Sequence, residues 1–500
     1  MTWMLVVLVV GSQLEGCQAP LKHYTSTWLQ RSQTTQRQQA YAHYAKALLA
    51  EQRGETEEAI AQFQRALQLD AQSPALHMRL ASLYLRDNQP TPALEQLELA
   101  LTLDPQHIPS RTLLALLHTS QGQLPQAIAQ YEAILAGAPE AEVALNALAD
   151  LYVLSGRLED ASQIYQRLIV LEPDSAIHHF NAGILASRLE RFAEAIQHLQ
   201  QVVALTPNSV EAHLALGLIY ELQGELSPAL EQFQAAADLD PLNPKVYHQL
   251  GRIYAEQERI NDAVRQYRLI LELDPADANA VLALARLYLK SDSLDEADRL
   301  LRAALPRLGE QVEIWIALGL VAQERGQREE AVAIFRQAVE RHPENAHAHF
   351  YLGAMLDQAG QRPAARTVLR KTIALDPKHA DALNYLGYMN AEEGVELEEA
   401  VTLIQRALEV DPQNGAYVDS LGWAYFRLGR VPEAIVELKR AATLIEDPVV
   451  FDHLGEVYAA GGRIEEAQQA WERSLRLNAE QPKVRQKLDA LLRVPTTATP

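Results

Sequence analysis

Apolar and polar positions along residues 40–481 follow one pattern that returns every 34 residues. With Ala40 as position 1, positions 4, 7, 8 and 11 carry apolar or small side chains, as Leu145, Leu148, Ala149 and Tyr152 do in the fourth unit. That spacing lays them along one face of a helix. Position 8 is small throughout: Ala47, Ala81, Ala115, Ala149, Gly183, Gly217, Gly251, Ala285, Gly319, Gly353, Gly387, Gly422 and Gly455. Twelve residues later comes an alanine, with only Ala400 displaced by one, and four residues after that a large apolar side chain such as Phe63, Tyr165, Phe335 or Trp471. A second amphipathic helix is therefore predicted in every unit.

The breaks between helices carry their own signals. Gly122, Gly156, Gly224, Gly326, Gly360 and Gly429 stand near position 15, where a left-handed residue ends a helix at low steric cost. Pro closes nine units, at 105, 139, 173, 207, 241, 275, 343, 377 and 412, and forces the residue before it out of the α region. The outcome is thirteen antiparallel helix pairs, with small side chains at positions 8 and 20 letting the two backbones approach. A Leu or Phe at either site would overpack the crossing at a cost of ~1–3 kcal/mol. A one-residue insertion near Val395–Glu396 is offset by one residue fewer before Pro448.

This signature resembles the tetratricopeptide repeat, a 34-residue helix-turn-helix with a small residue at position 8, Tyr at 11, Ala at 20, an aromatic at 24 and Pro at 32. The resemblance implies an all-α fold, a right-handed α-α superhelical solenoid of thirteen repeats. Pro482 to Arg493 reads as one further amphipathic helix, a C-terminal cap over the last exposed edge. Residues 494–500, VPTTATP, read as a disordered tail.

Ahead of the repeats, the apolar run Met4–Val10 is far shorter than the ~20 residues that span a bilayer. It has the size of the apolar part of a secretory signal. Leu14-Glu15-Gly16-Cys17 follows and contains the sole cysteine. The segment resembles the lipobox of bacterial lipoproteins, which implies cleavage before Cys17 and acylation there, with 1–17 as signal peptide. No Lys or Arg precedes the apolar run, and Glu15 fills a slot that is small or apolar in that family. Several acyl chains together would hold the protein on a membrane where one gives only marginal binding. Gln18, in place of the Asp that marks inner-membrane retention in this family, implies the outer membrane, facing the periplasm. Residues 18–39, rich in Gln, Ser and Thr, read as a flexible tether. The other reading of this end is a cytoplasmic N-terminus with a chance cysteine.

Composition narrows the choice of partner. Asp and Glu number 65 against 44 Lys and Arg, and the net charge of −21 would repel a nucleic-acid backbone. One cysteine excludes an intramolecular disulfide and a cysteine-based zinc cage. Once repeats, signal, tether and cap are subtracted, no stretch remains for a catalytic domain. No G-x-S-x-G, H-E-x-x-H, Walker or dinucleotide motif occurs. His43, His77, His179, His213 and His349 all fall at position 4 and mark a repeat slot, while the pairs His178/His179 and His347/His349 lack the spacing that shares a helix face. Acidic pairs such as Glu57-Glu58 and Glu465-Glu466 open second helices, where they complement the helix dipole. No catalytic residue, cofactor, metal site or small-molecule substrate is expected.

What remains is a binding surface for other proteins. In the tetratricopeptide family positions 2, 5, 9 and 12 line a concave groove, so the resemblance places Phe180, Ile184, Leu214, Leu218, Leu282, Leu289, Ile316, Leu320, Phe350, Tyr388, Trp423 and Phe426 on it. The alternative is that these side chains are ordinary contacts between neighbouring first helices. Lys245, His248, Arg252, Arg286 and Lys290 add a basic cluster on or beside the stripe, suited to an acidic segment of the partner or to pairing with nearby Asp and Glu. The expectation is a non-enzymatic adaptor, anchored by lipid in a bacterial envelope, that organises a pilus, secretion or polysaccharide-export assembly. A soluble cytoplasmic adaptor, or a regulatory partner of a transferase, is the alternative.

Overall fold

A computed structural model describes residues 28–493, with side chains described for 36–492. Among the described residues there are 27 helices and no strand. Helices of about 13 and 14 residues alternate, as Glu142–Leu154 and Leu158–Leu171 do, and each pair packs as an antiparallel hairpin. The chain divides into two compact units, one up to Pro241 and one from Leu242.

The predicted packing stripe is the core. Leu145, Leu148, Ala149 and Tyr152 are all buried, in one cluster with Tyr165 and Leu168 of the second helix. At position 8 the glycines face the large side chain at position 24 of the same hairpin. A Cβ on Gly217 would stand 2.7 Å from the Phe233 ring, and one on Gly422 would stand 2.6 Å from Leu438. In these hairpins the missing Cβ makes room for the side chain at position 24 as well as for approach of the two backbones.

Turns inside the hairpins hold a left-handed residue, as the glycine spacing predicts; Gly156, for example, has φ 76°. Four turns place Asn88, Glu190, Glu258 or Asp292 in the same conformation, at φ 55° to 59°. The insertion near Val395–Glu396 lengthens the helix Ala380–Glu393 by a residue and is absorbed by two left-handed residues, Gly394 and Glu396. Arg370 and Asn390 hold the Glu396 carboxylate at 2.7 and 3.1 Å.

One terminal expectation changes and the other holds. Residues 28–39 belong to a helix and not to a flexible tether: the first helix runs Trp28–Gln52. That span contains neither Pro nor Gly, and its Gln, Arg and Ala residues are good helix formers. At the other end Pro482–Arg493 is helical, with Val484 buried against the cluster that contains Trp471 and Val457. Lys487 from this helix bonds both carboxylate oxygens of Asp452 at 2.8 Å and also reaches Glu456. Burial lowers the pKa of its ammonium, but the two carboxylates outweigh that and the net shift is upward. Cys17, the lipobox, residues 18–27 and the tail 494–500 lie outside the described residues.

Candidate protein-binding face

In the N-terminal unit the helices Glu142–Leu154, Ala176–Arg188 and Val210–Leu222 are the first helices of successive hairpins. Their outward stripe mixes apolar side chains with polar ones such as Asn146, Asp150 and Glu211. Ile184 is 36% and Leu218 40% exposed, and Leu214 is half-buried. Phe180 is drawn in, packing with Phe192 and Ile196 on the core cluster of Leu199 and Leu216. Val143 and Ile177, at position 2, are the most open of the set, 61% and 64% exposed. The list read from the sequence omitted both, although the position-2 rule it used would have found them.

The C-terminal unit keeps fewer of its expected anchors free. Leu282, Leu289, Ile316 and Leu320 are half-buried. Phe350 is enclosed by the rings of His379, Tyr351 and Tyr385, with centroids 5.0, 5.5 and 6.2 Å away. Trp423 must be corrected: it is only 8% exposed and belongs to the core. His453, on the next first helix, stacks on it, and Asp419 grips His453 Nδ1 at 2.9 Å. Phe426 leans on the same indole at 5.3 Å. Tyr388 completes the cluster 6.3 Å from His453. Burial first, then the charges of Glu392, Asp419 and Asp452, push its hydroxyl up to about 12. Contact with the next first helix accounts for Trp423 and for part of Phe350, while Phe426 leans on its own helix and Tyr388 reaches His453 two first helices on.

The basic cluster is also reduced. His248 Nε2 is held by Asp277 at 2.8 Å, and Lys290 stands 3.5 Å from Glu258. Arg252 bonds Gln249 at 2.7 Å. Arg252 and Arg286 both lie close enough to the Tyr267 hydroxyl to oppose the upward shift that burial gives it. Lys245 and Arg286 are exposed, which leaves them as the cations best placed to meet an acidic segment.

Tetratricopeptide-repeat profiles match residues 50–117, 118–182, 254–321 and 322–386, with related profiles of the same description on 180–244, 396–448 and 449–473. The chain belongs to the tetratricopeptide-repeat family. No curated protein matches it in sequence. Among solved structures it is similar to the APC/C hetero-tetramer Cut9–Hcn1, at 16% identity and TM-score 0.43, over 93% of this chain and 99% of that one. It is also similar to a tetratricopeptide repeat protein from Parabacteroides merdae, at 15% identity and TM-score 0.40, over 49% of this chain and 98% of that one. Members of the family are in general non-catalytic scaffolds for protein–protein interaction.

Within the repeat, position 4 has a role that its sequence pattern did not disclose. The imidazole Nε2 of His77, His179, His213 and His349 donates to the carbonyl six residues earlier, at 3.3, 3.0, 3.1 and 2.9 Å. Trp315 Nε1 does the same to Gly309 at 2.8 Å, and Arg111 Nε to Pro105 at 2.8 Å. The slot closes the loop between one repeat and the next. The second imidazole nitrogen pairs with position 23: His77 with the Gln96 amide and His213 with the Gln232 amide, both at 2.8 Å, and His179 with His198 at 3.1 Å. At His349 the corresponding residue is Val368, and His349 Nδ1 is buried without a partner. These histidines are structural, in keeping with their reading as a repeat slot.

Proposed function

We propose that this repeat protein is a lipid-anchored, non-enzymatic adaptor of the bacterial envelope. It holds an extended or helical segment of a partner protein along its first-helix stripe and so organises an assembly of the pilus, secretion or polysaccharide-export kind. The observation that carries the reading is the exposure of Val143, Ile177, Ile184 and Leu218 on one stripe of consecutive first helices. Exposed apolar side chains grouped on the first helices are the anchors such a face offers to a bound segment. Taken by itself, the C-terminal unit offers Lys245 and Arg286 to an acidic segment of a partner. The anchor rests on Cys17 and its lipobox; no helix among the described residues is long and apolar enough to cross a membrane.

The test has two arms. Cells are labelled with palmitate and fractionated, comparing wild type with Cys17→Ser. A photo-crosslinker at Leu218 then captures the partner, comparing the parent with the combined Ile177→Ser, Ile184→Ser, Leu214→Ser variant. Label and membrane retention lost in Cys17→Ser, with capture lost in the triple variant at unchanged helicity, support the reading. An unlabelled soluble wild type favours the cytoplasmic adaptor, and capture that survives the triple substitution removes the stripe as the binding face.

A further inference from the structure

Three side chains in the N-terminal unit depart from the repeat at one place. Glu142 is at position 1, where the other units carry Ala, Pro, Ile, Val or Gly. His178 is at position 3, where the others carry Ala, Leu, Val or Ile, apart from Ser110 and Tyr417. Those two polar exceptions are partnered, Ser110 with His107 at 2.8 Å and Tyr417 with Asp381 at 2.5 Å. His178 is 3% exposed, and neither ring nitrogen has a hydrogen-bond partner. Glu172, at position 31, is the one Glu in a slot where Asp is commonest. Glu142 opens its helix, Glu172 follows Leu171 at the end of the next, and His178 lies in the first turn of the one after.

We propose that Glu142, Glu172 and His178 form a binding site for a first-row divalent transition-metal cation, zinc above all. One ligand atom from each lies within 4.8 Å of the other two, and His178 Nε2 is 3.5 Å from a Glu172 oxygen. Tetrahedral zinc with bonds of about 2.0–2.2 Å sets its ligand atoms roughly 3.4 Å apart. Both glutamates are exposed, so rotation about their own side-chain bonds closes the difference without moving a helix. Imidazole selects zinc-like ions over magnesium and calcium, and two carboxylates neutralise the charge. A helix-dipole role for Glu142 explains an acid at a first turn, but it leaves unexplained an imidazole buried with two idle nitrogens beside it. Ligating histidines ordinarily donate their other N–H to a fixed acceptor. His178 Nδ1 has none, which sets the expected affinity in the micromolar range. Three protein ligands leave a coordination position open to water or to a group from a bound protein.

The experiment titrates zinc calorimetrically, and cobalt as an optical probe, into the metal-free full chain with Cys17→Ser to remove the thiol. Excess magnesium is kept present to occupy stray carboxylates. The expected result is one saturable equivalent, lost in His178→Ala and weakened about tenfold or more in Glu142→Gln and Glu172→Gln. Alanine is the residue that Ala144, Ala212 and Ala280 already supply at this slot, so helicity and the melting curve of metal-free His178→Ala are expected to match the parent. No zinc binding at tens of micromolar, or equal binding by His178→Ala, overturns the proposal.

Discussion

The imidazole of His453 lies over the indole of Trp423, with centroids 4.2 Å apart and planes 19° from parallel. Each belongs to a different hairpin, and together they seal what would otherwise be an open stripe. Trp423→Ala is therefore expected to cost about 3–5 kcal/mol, as loss of a buried aromatic does. Ile177→Ser and Leu218→Ser, on exposed sites, should each change stability by less than ~1 kcal/mol. Guanidinium denaturation followed by circular dichroism separates the two cases. A Trp423→Ala protein as stable as the parent would return Trp423 to the binding face.

Gly217 illustrates a different constraint. Its missing Cβ leaves room for the Phe233 ring, which would otherwise stand 2.7 Å away. Gly217→Ala should lower stability by roughly 1–3 kcal/mol through overpacking. The double change Gly217→Ala, Phe233→Leu should recover part of the loss, as a smaller partner at position 24 relieves the clash.

His349 lacks the partner that Gln96 and Gln232 give to His77 and His213. Val368→Gln supplies that amide at position 23. It should raise stability by about 0.5–1.5 kcal/mol, the net worth of one hydrogen bond. An unchanged denaturation midpoint would mean that burying the new amide offsets the bond.

Glu258 holds a left-handed conformation at φ 59° where other repeats use glycine. Such a conformation costs an L-residue ~1–2 kcal/mol, partly offset by the greater chain entropy glycine loses. Glu258→Gly should thus be stabilising by less than about 1 kcal/mol, and Gly156→Ala destabilising by about 1 kcal/mol. Paired melting curves check both signs.

Acid should weaken the fold through particular histidines. Burial, then the charge of His347, lowers the pKa of His379, and burial followed by His179 does the same to His198. Each holds its proton less tightly in the folded chain than in the unfolded form, where it titrates near pH 6.5. The unfolded state therefore binds more protons below that value, and stability is lost as pH falls through it. His379 also caps a helix by accepting from the Ala382 N–H at 3.3 Å, which a protonated Nδ1 cannot do. His379→Asn, the cap that Asn345 and Asn414 provide elsewhere, should reduce the fall in melting temperature between pH 7.5 and 5.5.

The sequence disclosed the helix pairs because each hairpin repeats the same local instructions. Leu145, Leu148 and Tyr152 could be placed in the core from spacing alone. Exposure along the stripe was harder, because it depends on the hairpin that follows. Ile184 and Leu218 stay open, whereas Trp423 is covered by a residue from the next unit. The left-handed turns at Glu190 and Glu258 escaped notice because glycine was the signal sought. The position-4 bonds did so because their acceptors are backbone carbonyls, which leave no trace in side-chain identity.

Val484 and Lys487 fasten the final helix onto the hairpin before it, Lys487 through Asp452 and Glu456. Hydrogen bonds such as that of Tyr417 to Asp381 likewise join a hairpin to the one beside it. Cohesion of that sort has no keystone. Heat or mechanical pull should peel such a protein inward from its extremities, and an injury in the middle should cripple its immediate neighbourhood while distant turns stay intact.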